Sequence, residues 1–154
     1  FASDNNYSDK ASQLTNLTTD ISELVSNEVD LSPLIRNIRP IRVAFHEPCT
    51  LQHGQGLSGQ VERILTTLGL ELCAVPDHHI CCGSAGTYSV MQPEISAKLR
   101  ENKLSALCQA QPDVIATANI GCLTHLASTS HIPVQHWIEV VDFATSARNS
   151  AVKQ

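Results

Sequence analysis

The apolar positions of this 154-residue chain change rhythm repeatedly along its length, and each rhythm predicts an element. Within residues 1–38, Leu14, Leu17, Ile21, Leu24 and Val25 fall at helical spacing among polar neighbours. They predict one long amphipathic helix, followed by a linker around Pro33 and Pro40. Ile41-Arg42-Val43-Ala44-Phe45-His46 then alternates like a strand entering a core. Val61, Ile64, Leu65 and Leu68 return to helical spacing, with Ser58 placed to cap that helix and Gly69 to end it in a left-handed turn. Leu70 to Val75 reads as a second strand stopped by Pro76, followed by a loop and a short helical turn from Thr87 to Met91. Pro93 opens a helix to about Cys108. Asp113 to Ala118 is a third strand, from which Gly121-Cys122 turns into a short helix through Ala127. Pro133 to His136 is a brief fourth strand, and the last helix has an apolar face of Trp137, Val140, Val141 and Ala144.

Strands that alternate with helices imply a parallel sheet covered on both faces by right-handed crossovers. The expected fold is therefore α/β: an open, mostly parallel, Rossmann-like sheet of about four strands with helices on both faces, preceded by an N-terminal helix. The expected organisation is a helix and linker over 1–39, continuing from a region upstream of Phe1, an α/β domain over 40–147 and a tail over 148–154.

A chain of this length buries a core without covalent staples, so its six cysteines are not needed for folding. They show no short regular spacing and no secretory leader is expected, which suits a reducing compartment where thiols serve metals or redox chemistry. The expected location is the cytoplasm. Asn6-Tyr7-Ser8 and Asn16-Leu17-Thr18 match the glycosylation triplet, but nothing else points to secretion. A formal charge of -5 and 4% aromatic residues offer neither a phosphate-binding surface nor base-stacking platforms, so no nucleic-acid partner is expected. No apolar run approaches the roughly 20 residues of a spanning helix, which leaves membrane association to be peripheral or through a partner.

Cys49 follows the first predicted strand, Cys81 and Cys82 the second, and Cys122 the third. All four fall at the carboxyl edge of the sheet, where open parallel sheets bind ligands near a topological switch point. Consecutive side chains on one backbone diverge, so two neighbouring thiolates reach one small ion only with strain, and zinc motifs leave about two to four residues between paired cysteines. A centre with several metal atoms accommodates them better. Gly83 and Gly86 either let backbone amides approach an anionic sulfur group closely or serve only to turn the chain. His125, three residues after Cys122 on the same helical face, is either a further ligand or a polar residue outside the ligand set. Cys73 and Cys108 lie among apolar residues and read as packing groups. His46, His53, His78, His79, His131 and His136 lack a metal-binding spacing and are not expected to be ligands.

Cys49, Cys81-Cys82-Gly83 and Cys122, separated by 32 and 40 residues, together resemble the cysteine-rich CCG domain. That domain is found in the B-type chain of heterodisulfide reductases and in the iron-sulfur subunits of several flavin-linked dehydrogenases. The runs that carry the likeness are His46-Glu47-Pro48-Cys49-Thr50-Leu51-Gln52-His53, Cys81-Cys82-Gly83-Ser84-Ala85-Gly86-Thr87-Tyr88, Thr117-Ala118-Asn119-Ile120-Gly121-Cys122-Leu123-Thr124-His125-Leu126 and His136-Trp137-Ile138-Glu139. They cover about residues 40–145 and are most similar to the C-terminal part of glycolate oxidase (glycolate dehydrogenase) iron-sulfur subunits.

The resemblance implies an electron-transfer subunit with no substrate turnover of its own. Its partner would be a flavin-containing subunit, carrying FAD, that oxidises a 2-hydroxy acid. The cofactor implied is a four-iron iron-sulfur cluster that preparation in air can remove, held by Cys49, Cys81, Cys82 and Cys122 with Gly83 and Gly86 beside it. His125 occupies the family's fifth cysteine position. The implied location is cytoplasmic or peripheral at the inner face of the cell membrane. Two other readings of the residues stay open. One is a zinc-binding or metal-free docking module, with Cys49, one of the paired cysteines, Cys122 and His125 forming a tetrahedral site. The other is a thiol redox protein with Cys81 or Cys82 as nucleophile. The loop from Cys82 to Gly86 lacks the Lys-Ser/Thr of a P-loop, so nucleotide binding is not expected.

Overall fold

The computed structural model describes residues 1, 3–35 and 40–146; linker positions 36–39 and the expected tail over 148–154 lie outside them. The chain divides into two compact units, residues 1–30 and the unit that begins at Leu31.

The first unit holds two helices, α1 (Ser8–Leu17) and α2 (Ile21–Glu28), where the apolar stripe predicted one. Asp20 divides them. Its carboxylate accepts the Ser22 amide at 2.8 Å and its own amide donates to Glu23 Oε2 at 3.1 Å, a capping box that begins a new helix inside a stripe of unbroken period. Thr18 is correspondingly extended, at φ -90° and ψ 123°.

The second unit carries α3 (Ser32–Ile35), β1 (Arg42–His46), a π-helical turn (Thr50–Gln55), α4 (Gln60–Thr67), β2 (Glu71–Leu72), α5 (Tyr88–Met91), α6 (Pro93–Cys108), β3 (Val114–Thr117), α7 (Ile120–Ala127), β4 (Val134–His136) and α8 (Trp137–Ser146). Its four strands are all parallel, in the order β2-β1-β3-β4, which is the expected open α/β sheet. The chain leaves β1 toward β2 and leaves β3 toward β4. The carboxyl ends of the two central strands therefore form the switch point.

Arg42 fixes the opposite edge. Its Nε donates to Glu71 on β2 at 3.2 Å, its Nη1 to the Gln111 carbonyl at 2.8 Å, and its amide to Asp113 Oδ2 at 2.8 Å. β2 is shorter than the predicted run from Leu70 to Val75. The Cys73 amide still donates to the Val43 carbonyl at 2.9 Å, after which Pro76, with no N–H, cannot extend an edge strand that has one neighbour.

Alternation along the strands sends Ala44 and Ile115 to the face where Leu107 of α6, Leu126 of α7 and Cys82 are buried with them. α4 contributes buried Val61, Ile64 and Leu65, and α8 buried Trp137, Val140, Val141 and Ala144, the apolar residues their periodicity predicted. Gly69, at φ +89°, ends α4 in a Schellman motif: its amide reaches the Thr66 carbonyl at 2.9 Å and the Leu70 amide that of Leu65 at 3.1 Å. At the other end Gly59 stands at the cap position expected of Ser58, because the Ser58 hydroxyl is engaged by Glu47.

Leu107 touches the site-bearing core and is fully buried, so Leu107→Ala is expected to cost about 2–5 kcal/mol of unfolding free energy in urea titrations. Leu14→Ala, at a side chain 68% exposed, is expected to stay within about 0.5 kcal/mol of the parent.

Candidate metal centre

The carboxyl ends of β1 and β3 deliver the donors. His46 is the last residue of β1, paired in register with Thr117 at the end of β3. Glu47, Pro48 and Cys49 continue from β1, and the π-helical turn starts at Thr50. Glu47 is buried, and its carboxylate accepts the Ser58 hydroxyl and the Gly59 amide, both at 3.0 Å, which ties the approach to Cys49 to the start of α4.

The adjacent cysteines face different partners. Cys81 lies beside Cys49: burial, then the charge of Cys81, pushes the Cys49 thiol up from its ordinary range. Cys82 is 1% exposed and faces Cys122 and His46, and the ligand atoms of these three residues lie within 4.8 Å of one another. Contact with Cys122 holds the Cys82 thiol well below its ordinary range, and the Ser84 backbone amide acts in the same direction. The same contact pushes Cys122 up, so the pair ionises at Cys82 first.

Both ring nitrogens of His46 are buried without a hydrogen-bond partner, as are Thr117 Oγ1 and Trp137 Nε1. All three residues stand at the carboxyl end of the sheet. Buried polar atoms are nearly always paired, so orphaned nitrogens facing two thiols fit a bound metal group. The donor set is thiolate and imidazole without a carboxylate, the chemistry of iron-sulfur or zinc and not of magnesium or calcium.

The Cys-Cys-Gly loop is braced from behind. Gly83 sits at φ +93°, and a Cβ there would run into the Ser96 carbonyl oxygen and stand 3.1 Å from Leu99 Cβ. The Gly83 amide donates to the Cys81 sulfur at 3.3 Å. Its carbonyl accepts the hydroxyl of Ser96, itself 1% exposed, at 2.8 Å. Gly86, at φ +53° with open space around it, serves the turn. Asn119 caps α7, its Oδ1 accepting the Gly121 and Cys122 amides at 2.9 and 3.2 Å while its Nδ2 reaches Thr50 Oγ1 at 3.3 Å. One side chain thus couples the turn after Cys49 to the helix that presents Cys122.

Of the four predicted cysteines, Cys82 and Cys122 meet in one close group with His46, and Cys81 stands beside Cys49. His125 lies on α7 with Nε2 3.3 Å from Ser96 Oγ and 3.4 Å from the Ser96 carbonyl oxygen, and is not part of the group formed by His46, Cys82 and Cys122. His46, which spacing excluded, is part of it. Its signal was the strand alternation, which puts it on the face of Ala44, the face that buries Cys82. Cys73 and Cys108 pack against that apolar cluster as expected, and burial pushes both thiols up.

The family described as "CCG: Cysteine-rich domain" matches residues 43–127. The chain is 50% identical over 138 residues to the glycolate oxidase iron-sulfur subunit of Escherichia coli, a match covering 90% of this chain and 33% of that protein. It is 26% identical over 148 residues to lactate utilization protein A of Bacillus velezensis, covering 92% of this chain and 62% of the relative. It is 28% identical over 151 residues to lactate utilization protein A of Geobacillus thermodenitrificans, covering 92% of this chain and 62% of the relative. The chain thus spans less than two thirds of the length of each.

Gly83→Ala is expected to lower unfolding free energy by about 2 kcal/mol or more, because it meets both an unfavourable φ and a backbone oxygen. Gly86→Ala, which meets only the φ penalty, is expected to cost about 1 kcal/mol in the same denaturant titration.

Proposed function

The chain belongs to the cysteine-rich CCG family, and from that premise we propose that it is the electron-transfer part of an oxidoreductase complex, with Cys49, Cys81, Cys82 and Cys122 holding a four-iron iron-sulfur cluster. The observation that carries this reading is the divergence of Cys81 and Cys82 toward separate partners. With Cys82, Cys122 and His46 in one group and Cys81 beside Cys49, the thiols and the imidazole together outnumber the four donors that one tetrahedral ion accepts.

A bound cluster supplies a carrier that accepts and releases single electrons. The protein's own residues govern its surroundings. Backbone amides of Gly83 and Ser84 directed at the Cys81 and Cys82 sulfurs stabilise negative charge there. His46 takes the imidazole position beside Cys82. His125, through Ser96, holds the Gly83 turn against α6. Gly86 shapes the far side of the loop.

In the wider reading a flavin subunit carrying FAD oxidises a 2-hydroxy acid such as glycolate, and this domain receives the electrons without touching the substrate; the names of the relatives, a glycolate oxidase iron-sulfur subunit and lactate utilization proteins, support its iron-sulfur and hydroxy-acid parts. Among the described residues no helix is long and apolar enough to cross a membrane. In this reading the domain works in the cytoplasm or peripherally at the inner membrane face.

Anaerobic reconstitution of the full chain with iron and sulfide is expected to give brown protein with iron and acid-labile sulfide near four per chain, the stoichiometry of a four-iron cluster. Cys82→Ser is expected to lose most of that iron and Cys108→Ser to keep it. Colourless protein that binds one zinc per chain would overturn the assignment in favour of a docking module.

A further inference from the structure

His46 closes β1 at 2% exposure, and neither of its ring nitrogens has a hydrogen-bond partner. A buried imidazole ordinarily pairs at least one nitrogen, because the water it gives up on folding has to be replaced. Its polar neighbours do not supply that replacement. Thr117, its register partner on β3, keeps its own hydroxyl unpaired, and the Glu47 carboxylate is taken by Ser58 and Gly59.

What the ring meets is sulfur. A ring nitrogen of His46 and the sulfurs of Cys82 and Cys122 all lie within 4.8 Å of one another. Donors sharing one tetrahedral metal atom, at metal-to-ligand distances of about 2.0–2.3 Å, stand about 3.5–3.8 Å apart, so this group is within about 1 Å of the spacing required. The three donors come from separate parts of the chain: the end of β1, the Cys-Cys-Gly loop and α7. Three independent elements thus converge on one point inside the protein. His125, on the same helix as Cys122, turns instead to Ser96, with Nε2 3.3 Å from its hydroxyl.

We propose that His46 is itself a metal ligand: with Cys82 and Cys122 it holds one metal atom of the site, Cys49 and Cys81 serve another, and His125 holds none. For the identity of the metal this rests on the iron-sulfur reading above. Imidazole is neutral where thiolate is negative, so the metal atom held by His46 carries less negative charge than an all-cysteine site would give it, which favours the reduced state.

Two measurements test the assignment. In the full chain reconstituted anaerobically with iron and sulfide and then reduced, pulsed electron paramagnetic resonance is expected to show a bound imidazole nitrogen that changes from the 14N to the 15N pattern on labelling of histidine. The coupling is expected to vanish in His46→Ala and in His46→Cys, to persist in His125→Gln, and iron is expected to be retained in the Cys variant, which replaces one donor by another. In the metal-free full chain, titration with cobalt(II), followed by its visible absorption, is expected to show affinity at least about tenfold weaker in His46→Ala and near the parent value in His125→Gln.

An iron-loaded parent without a nitrogen coupling, or a coupling that survives in His46→Ala, would overturn the proposal. If both His46 variants lose the fold by circular dichroism, the labelled parent and His125→Gln decide: a coupling present in both supports His46, and one lost with His125 overturns it. A parent that takes up no iron counts against the iron-sulfur reading alone, and the cobalt titration then decides, equal affinities of parent and His46→Ala overturning the role of His46. A parent that binds neither metal overturns both.

Discussion

Neighbouring side chains on one backbone cannot aim at the same point, and the site is arranged around that restriction at Cys81 and Cys82. One thiol turns to Cys49 and the other to Cys122 and His46. The two partners arrive from β1 and β3, the central strands, whose crossovers leave in opposite directions and open a space between them. The strand order and the cysteine pair therefore answer each other: a sheet without this switch point would offer the diverging thiols partners on one side only.

α6 explains how the loop is kept in place. Its apolar pattern is untidy because the face turned inward carries Ser96 and Lys103 before Leu107 completes it, all three buried. The two polar residues receive the loop, Ser96 at the Gly83 carbonyl and Lys103 at the Asp77 and His78 carbonyls. An irregular or polar stripe on a buried helix thus marks the surface against which a non-repeating backbone satisfies its carbonyls.

The sheet was legible because β1, α4 and α8 keep their period, and the four cysteines were readable because each follows a strand. Two features were hidden for physical reasons. Asp20 and Glu23 restart a helix within an apolar stripe whose spacing gives no hint of interruption, since capping is a local hydrogen-bond event and the stripe records only burial. His46 looked like an ordinary strand residue, because a donor presented by strand alternation needs no motif spacing. Asn119 was readable in principle, as an Asx residue two positions before a glycine at a helix start.

The pairing of Cys49 with Cys81 and of Cys82 with Cys122 also has a topological consequence. These contacts close chain segments of 32 and 40 residues, and together they enclose α4, β2, α6 and β3. A group that bridges the thiols is therefore a double cross-link. It removes conformational freedom from the unfolded chain as a pair of disulfides of that span would, and it makes the occupied site a fastener for half of the fold.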